Sequence, residues 1–181
     1  MKKYEVEVEN VEGSSLLMNR FVSGTDLSPT KRKVITTRVI SIEDKMYKTD
    51  KGKIYVPARY FEGSLTEAGK NFKGKGRTNL SKIMGAMISI MPDALVLNNQ
   101  KWIEDMQVGV NPMTKGRMEI HRPRFDKWGV SFTLIVSMDD LPTETMKEIL
   151  DYAGLYVGVG DWRPAKKGKY GKFIVTKFKE V

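Results

Sequence analysis

A glycine-rich basic stretch at residues 158–173, GVGDWRPAKKGKYGKF, carries the residue types best suited to holding a phosphate. Glycine permits positive φ and close approach of the backbone, so successive N–H groups can point at an anion. Asp161 is expected to orient Arg163 through a salt bridge. The alternative interpretation of the whole stretch is an ordinary turn between a helix and a strand, without a ligand. The stretch predicts phosphate contacts at Gly158, Gly160, Arg163, Lys166, Lys169 and Lys172.

Two further acid-poor stretches could contribute to the same kind of site. Residues 68–92 contain no acid and carry Lys73, Lys75 and Arg77 between glycines. Residues 108–125 carry Arg122 and Arg124 close to aromatic side chains. Arginine beside aromatic residues suits joint phosphate contact and base stacking, which contributes about 1–3 kcal/mol per base. Two interpretations of the neighbouring aromatics, Phe125 and Trp128, are open: they stack on bases or they close the core.

His121 is the only histidine, and a histidine can exchange protons near neutral pH. A metal-independent endoribonuclease using His121 is therefore one hypothesis for this chain. The sequence offers no second histidine for that chemistry, and we expect no catalytic residue. It also contains no phosphate-binding Walker loop, nucleophile elbow or zinc-ligand spacing. We expect neither a metal nor a cofactor.

Composition points to a polyanionic partner. The formal net charge is +9, from 31 Lys and Arg against 22 Asp and Glu. Clustered cations create a field that attracts nucleic acid, although a basic surface without a partner is the alternative. The absence of cysteine excludes disulfides and thiolate metal sites. No apolar run approaches the roughly 18 residues of a membrane span, so we expect a cytoplasmic protein without a membrane partner.

The order of predicted elements indicates how these residues are positioned. Alternation predicts a strand at 4–8, and β-branched residues predict another at 34–42. A helix is expected after Pro57, and a helix from an N-cap at Thr143 to a stop at Gly154. Further strands are predicted at 54–56, within 84–97, at 128–138 and at 173–178. Reduced to its core this is β-α-β-β-α-β, which predicts a ferredoxin-like α+β fold with an antiparallel sheet. We expect one domain over 1–181 with an inserted hairpin excursion at about 100–127.

With its glycine-rich loop between the second helix and the last strand, the chain resembles the RAMP superfamily of CRISPR systems. Gly13-Ser14-Ser15-Leu16-Leu17, after the first strand, resembles the opening of these proteins. The resemblance implies RNA binding along a basic face, in subunits that stack head to tail on a guide strand. A related branch of the family cleaves precursor RNA without a metal. The chain resembles a stand-alone or phage-borne member.

These observations predict a protein that binds single-stranded nucleic acid without catalysis, with RNA favoured over DNA. The expected partners are the strand itself, further copies of the chain along that strand, and a CRISPR-type protein. An alternative function is a phage-encoded protein that interacts with or mimics a CRISPR-type subunit.

Overall fold

The computed structural model describes residues 1–22, 40–74, 79–111, 114–139 and 141–181. In that part of the chain no helix is long and apolar enough to cross a membrane. The strands in chain order are β1 (Lys2–Asn10), β2 (Leu16–Leu17), β3 (Tyr55–Pro57), β4 (Ile88–Met91), β5 (Ala94–Val96), β6 (Ile103–Val110), β7 (Arg117–Phe125), β8 (Gly129–Val136) and β9 (Phe173–Glu180). The α-helices are α1 (Ala58–Ala68), α2 (Ser81–Met87) and α3 (Thr143–Tyr152).

The main sheet has the strand order β4-β8-β1-β9, and every neighbouring pair is antiparallel. Helix α1 lies between β1 and β4 in the chain, and α3 lies between β8 and β9. This arrangement confirms the predicted α+β class and is consistent with a ferredoxin-like fold. In β1 the alternating side chains Tyr4, Val6 and Val8 are buried, as the strand periodicity predicts.

The helices cover one face of the main sheet. The ring of Phe61 on α1 lies 5.3 Å from the ring of Phe132 on β8, and equally far from that of Phe173 on β9. On the opposite face, Nζ of Lys177 lies 3.1 Å from a carboxylate oxygen of Glu5 and 3.2 Å from one of Glu7. The glutamates of β1 therefore balance Lys177, which lies in the run 163–179 that contains no acid.

A second sheet, β2-β7-β6, contains the hairpin that occupies the predicted excursion. Its strands β6 and β7 pair antiparallel from Ile103↔Arg124 to Val110↔Arg117. The turn is closed by the N–H of Lys115, which donates to the carbonyl of Asn111 at 2.8 Å. Strand β2 joins this sheet through the pair Leu16↔Phe125. Both of these side chains are part of the hydrophobic core.

One predicted strand lies mostly outside the described residues, and another was predicted to begin too early. Most of the strand predicted at 34–42 lies outside the described residues, and its last residue begins a 3₁₀ helix, Ile42–Lys45. The segment from Met84 does not begin as a strand, because α2 runs to Met87 before β4. Met84 and Met87 are both buried, and their spacing of three suits a helix face.

The boundaries predicted for α3 are also wrong. Pro142 occupies the cap position, and no side chain of a described residue caps the helix. The hydroxyl of Thr143 instead donates to Glu180 at 3.0 Å. Gly154 does not stop the helix, since a π-helical turn, Ala153–Val157, continues to Gly158 at φ +72°. A Cβ on Gly154 would lie 2.2 Å from the carbonyl oxygen of Phe173, so this glycine permits close packing of the helix on β9.

Candidate nucleic-acid interface

The glycines of the loop at residues 158–172 shape its path. A Cβ on Gly160 would lie 2.6 Å from the carbonyl oxygen of Leu17, and one on Gly171 would lie 1.7 Å from that of Val159. Both glycines also have positive φ, +80° and +70°. The loop is therefore folded tightly against β2 and against itself, and only glycine fits at these two positions.

The backbone amides of this loop are largely occupied by protein carbonyls. The N–H of Gly158 donates to Ala153, that of Val159 to Gly171, and that of Asp161 to Leu17, at 2.7–2.9 Å. The reason that the sequence offered for phosphate contact at Gly158, a free amide aimed at an anion, is thus wrong. We assign Gly158 and Gly160 a shaping role and look to the side chains of the loop for anion contact.

The cations of the loop carry charge that nearby carboxylates do not balance. Lys166, Lys167 and Lys169 are exposed, and Arg163 and Lys172 are partly exposed. Arg163 donates to the carbonyl of Gly160 at 3.2 Å, which holds the guanidinium without neutralising it. Within the described ranges, none of these five cations forms an ion pair with a carboxylate.

Arg122 lies beneath the loop. Its side chain is only 1% exposed, and Nη1 donates to Oδ2 of Asp161 at 2.6 Å. Its guanidinium carbon lies 4.4 Å from the centroid of the Trp162 ring. Arg122 is therefore an anchor for the loop, and the phosphate contact predicted for it is not available in this arrangement. The expected Asp161–Arg163 salt bridge is likewise replaced by Asp161–Arg122.

The other two basic residues predicted on the hairpin side are paired as well. Arg124 lies 3.2 Å from Asp105 and 2.9 Å from Asp126. His121 contacts Glu104 through Nδ1 at 2.5 Å and Glu119 through Nε2 at 3.2 Å. These hydrogen bonds raise the pKa of His121, and the bond to Glu104 has the larger effect. The aromatics Phe125 and Trp128 are buried in the core, so they close it and do not stack on bases.

The predicted site in the second basic stretch is only partly described. Lys75 and Arg77 lie outside the described residues. Lys73 is exposed and forms an isolated bridge with Asn79. Nearby, Nζ of Lys70 lies 2.8 Å from Oε1 of Glu67 on α1. The stretch therefore begins beside the last turn of α1.

Between α1 and the glycine-rich loop lies an open cleft of about 360 Å³, which we call the α1–loop cleft. Its two arginines are Arg59, at the start of α1, and Arg163, on the loop. Its acids are each paired: Asp161 with Arg122, and Glu67 with Lys70. Its lining consists of Asn19, Arg59, Tyr60, Gly63, Ser64, Glu67, Val159, Gly160, Asp161 and Arg163.

Pairing of the two acids leaves the α1–loop cleft with an excess of positive charge. Arg59 donates to the hydroxyl of Tyr47 at 3.4 Å, and no carboxylate of a described residue forms an ion pair with it. Sequence reasoning missed Arg59 because it stands alone rather than in a basic run. The sequence did contain a signal for Arg59 as a site residue. It lies beside Tyr60 in the first turn of the helix that was predicted after Pro57.

Tyrosine rings continue from the cleft along the same surface. Tyr60 shares a 3.0 Å hydrogen bond with Tyr47, and the Tyr47 ring lies 5.7 Å from that of Tyr55. Burial raises the pKa of Tyr60 above the ordinary value of about 10. A second cleft, of about 380 Å³, is lined by Tyr47, Tyr55 and Arg59 among others. Two carboxylates, Glu62 and Asp93, also line this second cleft, so the tyrosine rings lie beside one arginine and two acids.

Comparisons with known proteins find likenesses among solved structures. No family model matches the sequence, and no curated protein matches it. Among solved structures, the chain is similar to one described as the cryo-EM structure of the type III-B Cmr-beta bound to cognate target RNA. The TM-score is 0.50 at 15% sequence identity, over 99% of this chain and 61% of that chain. The likeness at this identity is one of fold, and this chain spans less than two thirds of the length of its neighbour.

Proposed function

We propose that this protein binds single-stranded nucleic acid without cleaving it, and RNA in preference to DNA. The observation that carries the proposal is the placement of Arg59 and Arg163 in one open cleft whose acids are already paired. The exposed Lys166 and Lys169 extend the positive surface along the same loop. The strand passes through the α1–loop cleft, with its phosphates on these four side chains.

The fold and its neighbour support the choice of RNA. The similar solved structure is described as bound to cognate target RNA. The order of the elements in this chain agrees with a resemblance to the RAMP superfamily. We propose that the chain is a RAMP-like protein, a stand-alone or phage-borne relative with a CRISPR-type protein as partner. Lys73, Lys75 and Arg77 remain predicted contacts.

Binding of this kind depends on phosphates rather than on sequence. Phosphate contacts position a strand without distinguishing its bases. Each neutralised phosphate of a single strand contributes roughly 0.7 to the slope of log affinity against log salt. We therefore expect strong salt dependence and affinity for strands of unrelated sequence.

The surroundings of His121 argue against a nuclease. Glu104 and Glu119 hold both ring nitrogens and place negative charge where a phosphodiester would have to approach. A general base also needs an unprotonated nitrogen, and both contacts favour the imidazolium. Cleavage of labelled RNA in the presence of a chelator, abolished by His121→Ala, would select the nuclease instead.

The proposal is tested by titrating the protein with single-stranded RNA, single-stranded DNA and duplex DNA of one length at two salt concentrations. We expect the tightest binding to RNA, weaker binding to single-stranded DNA, and a loss of affinity at the higher salt. Absence of binding to all three at low salt would contradict the proposal.

A second candidate function is association of this chain with another copy through strand β6. Among the described strands β6 pairs only with β7, and it exposes Met106, Val108 and Val110. An unpaired apolar edge favours strand addition, and residues 106–111 carry no charge to oppose a two-fold antiparallel contact. Light scattering with and without RNA, on the unmodified chain and on Val108→Lys, tests this candidate. A monomer under both conditions would exclude it.

A further inference from the structure

We infer that the α1–loop cleft receives one unstacked base of the bound strand, an inference that rests on the proposed function. The residues that line it from α1 are spaced so that they form one face of the helix, from Arg59 to Glu67. The loop forms the opposite wall. The cleft volume, about 360 Å³, lies in the range of sites that enclose small organic groups.

Gly63 is the first observation behind this inference. It lies inside α1, where glycine is among the poorest helix formers, and it lines the cleft. A Cβ on Gly63 would meet nothing within 4 Å, whereas one on Gly154 would meet the backbone of Phe173 at 2.2 Å. Packing among the described residues therefore does not explain Gly63. Its lack of a side chain keeps the cleft open.

The polar lining is the second observation. The carboxylates of Asp161 and Glu67 are paired with cations, so they do not make the electrostatic potential of the cleft negative. Each carboxylate still has lone pairs that accept hydrogen bonds. Such oxygens repel a phosphate but accept from the N–H groups on the edge of a base. Ser64, a residue that is 3% exposed, has a buried hydroxyl without a hydrogen-bond partner among the described residues.

These features divide the strand between two kinds of contact. The ring of Tyr60 packs against the inserted base, while Arg59 and Arg163 hold the phosphates on either side. Side chains that read an unstacked base in this way are a general mode of RNA recognition. The cleft thus takes a nucleobase between the two phosphates that Arg59 and Arg163 hold.

The experiment compares Gly63→Met with Gly85→Met. Gly85 is an exposed glycine inside α2 at which a Cβ would also meet nothing within 4 Å, and it does not line the α1–loop cleft. Each variant is titrated with single-stranded RNA and with an abasic strand of equal length and charge. Thermal unfolding of both variants checks that they fold, and Gly63→Ala serves as a smaller intrusion into the cleft.

We expect Gly63→Met to weaken binding of the base-containing strand about tenfold or more, the order of one lost stacking contact. Binding of the abasic strand should be unchanged, and Gly85→Met should resemble the unmodified protein with both strands. Unchanged RNA binding by Gly63→Met would overturn the inference, as would an equal loss with the abasic strand. Either result leaves the proposed function standing, whereas absence of binding by the unmodified protein overturns both.

Discussion

Nη1 of Arg122 on β7 lies 2.6 Å from Oδ2 of Asp161 on the glycine-rich loop. The arginine is 1% exposed, and Trp162 covers its guanidinium. This pair joins the hairpin to the loop and so fixes the wall that the loop contributes to the α1–loop cleft. Two other nitrogens of the guanidinium, Nε and Nη2, have no partner among the described residues, so Asp161 is its main source of compensation.

Replacing Asp161 with alanine should destabilise the protein by about 2 kcal/mol or more, because a buried guanidinium then loses its counter-charge. The expected loss is reduced by the partial exposure of Asp161, whose side chain is 33% exposed. Urea unfolding measures the change. The matched control is Asp151→Ala, which breaks an exposed pair with Lys147 and should cost less than about 0.5 kcal/mol. Equal stability of the two variants would contradict the anchoring role.

Gly171→Ala should destabilise the protein by about 2 kcal/mol or more, because overlap adds to backbone strain. The added methyl would lie 1.7 Å from the carbonyl oxygen of Val159. Gly52→Ala is the control, since Gly52 has a similar φ of +75° but would meet nothing within 4 Å. The difference between the two unfolding free energies isolates the close approach. No difference would show that the loop is not packed as described.

The sequence predicted the main sheet well because burial leaves a periodic trace. Tyr4, Val6 and Val8 alternate with charged residues, and the strand they predict is the centre of β1. The excess of basic residues was less informative, because charge in a sequence does not reveal burial or pairing. Arg122 and Lys177 both lie in acid-poor stretches, yet both are paired in the folded chain. Arg122 pairs with Asp161 of the glycine-rich loop, and Lys177 pairs with Glu5 and Glu7 of β1.

The α1–loop cleft could not be predicted for a related reason. Arg59 and Arg163 belong to elements far apart in the chain, and only the packing of the loop against α1 brings them to one cleft. The position of the glycine-rich loop before the last strand was readable from the sequence. The use of its amides was not, because their acceptors include the carbonyl of Leu17 on β2, which only the folded chain brings near.

The contacts of His121 predict a pH-dependent contribution to stability. Hydrogen bonds to Glu104 and Glu119 raise its pKa in the folded protein above the unfolded value of about 6.5. The stabilisation is therefore fully present below about pH 6.5 and is lost as the pH rises through the raised pKa. The difference in Tm between the unmodified protein and His121→Gln should shrink from about pH 6 to about pH 9. A difference that grows with pH would contradict this assignment.

The exposed lysines of the loop should set part of the salt dependence of binding. If Lys166 and Lys169 each contact one phosphate, replacing both with glutamine should lower the salt slope by about 1.4. Filter binding of labelled single-stranded RNA over a series of salt concentrations gives the slope. An unchanged slope would show that the strand does not pass along this part of the loop.

The most direct test of the proposed function compares two double variants that lose the same charge. Arg59→Gln with Arg163→Gln removes the cations of the α1–loop cleft, whereas Lys147→Gln with Lys177→Gln removes two cations that are paired with carboxylates elsewhere. In salt titrations of single-stranded RNA binding, the arginine double variant should bind more weakly, and its slope of log affinity against log salt should fall by about 1.4. The lysine double variant should resemble the unmodified protein. Equal affinity and slope in both double variants would contradict the account.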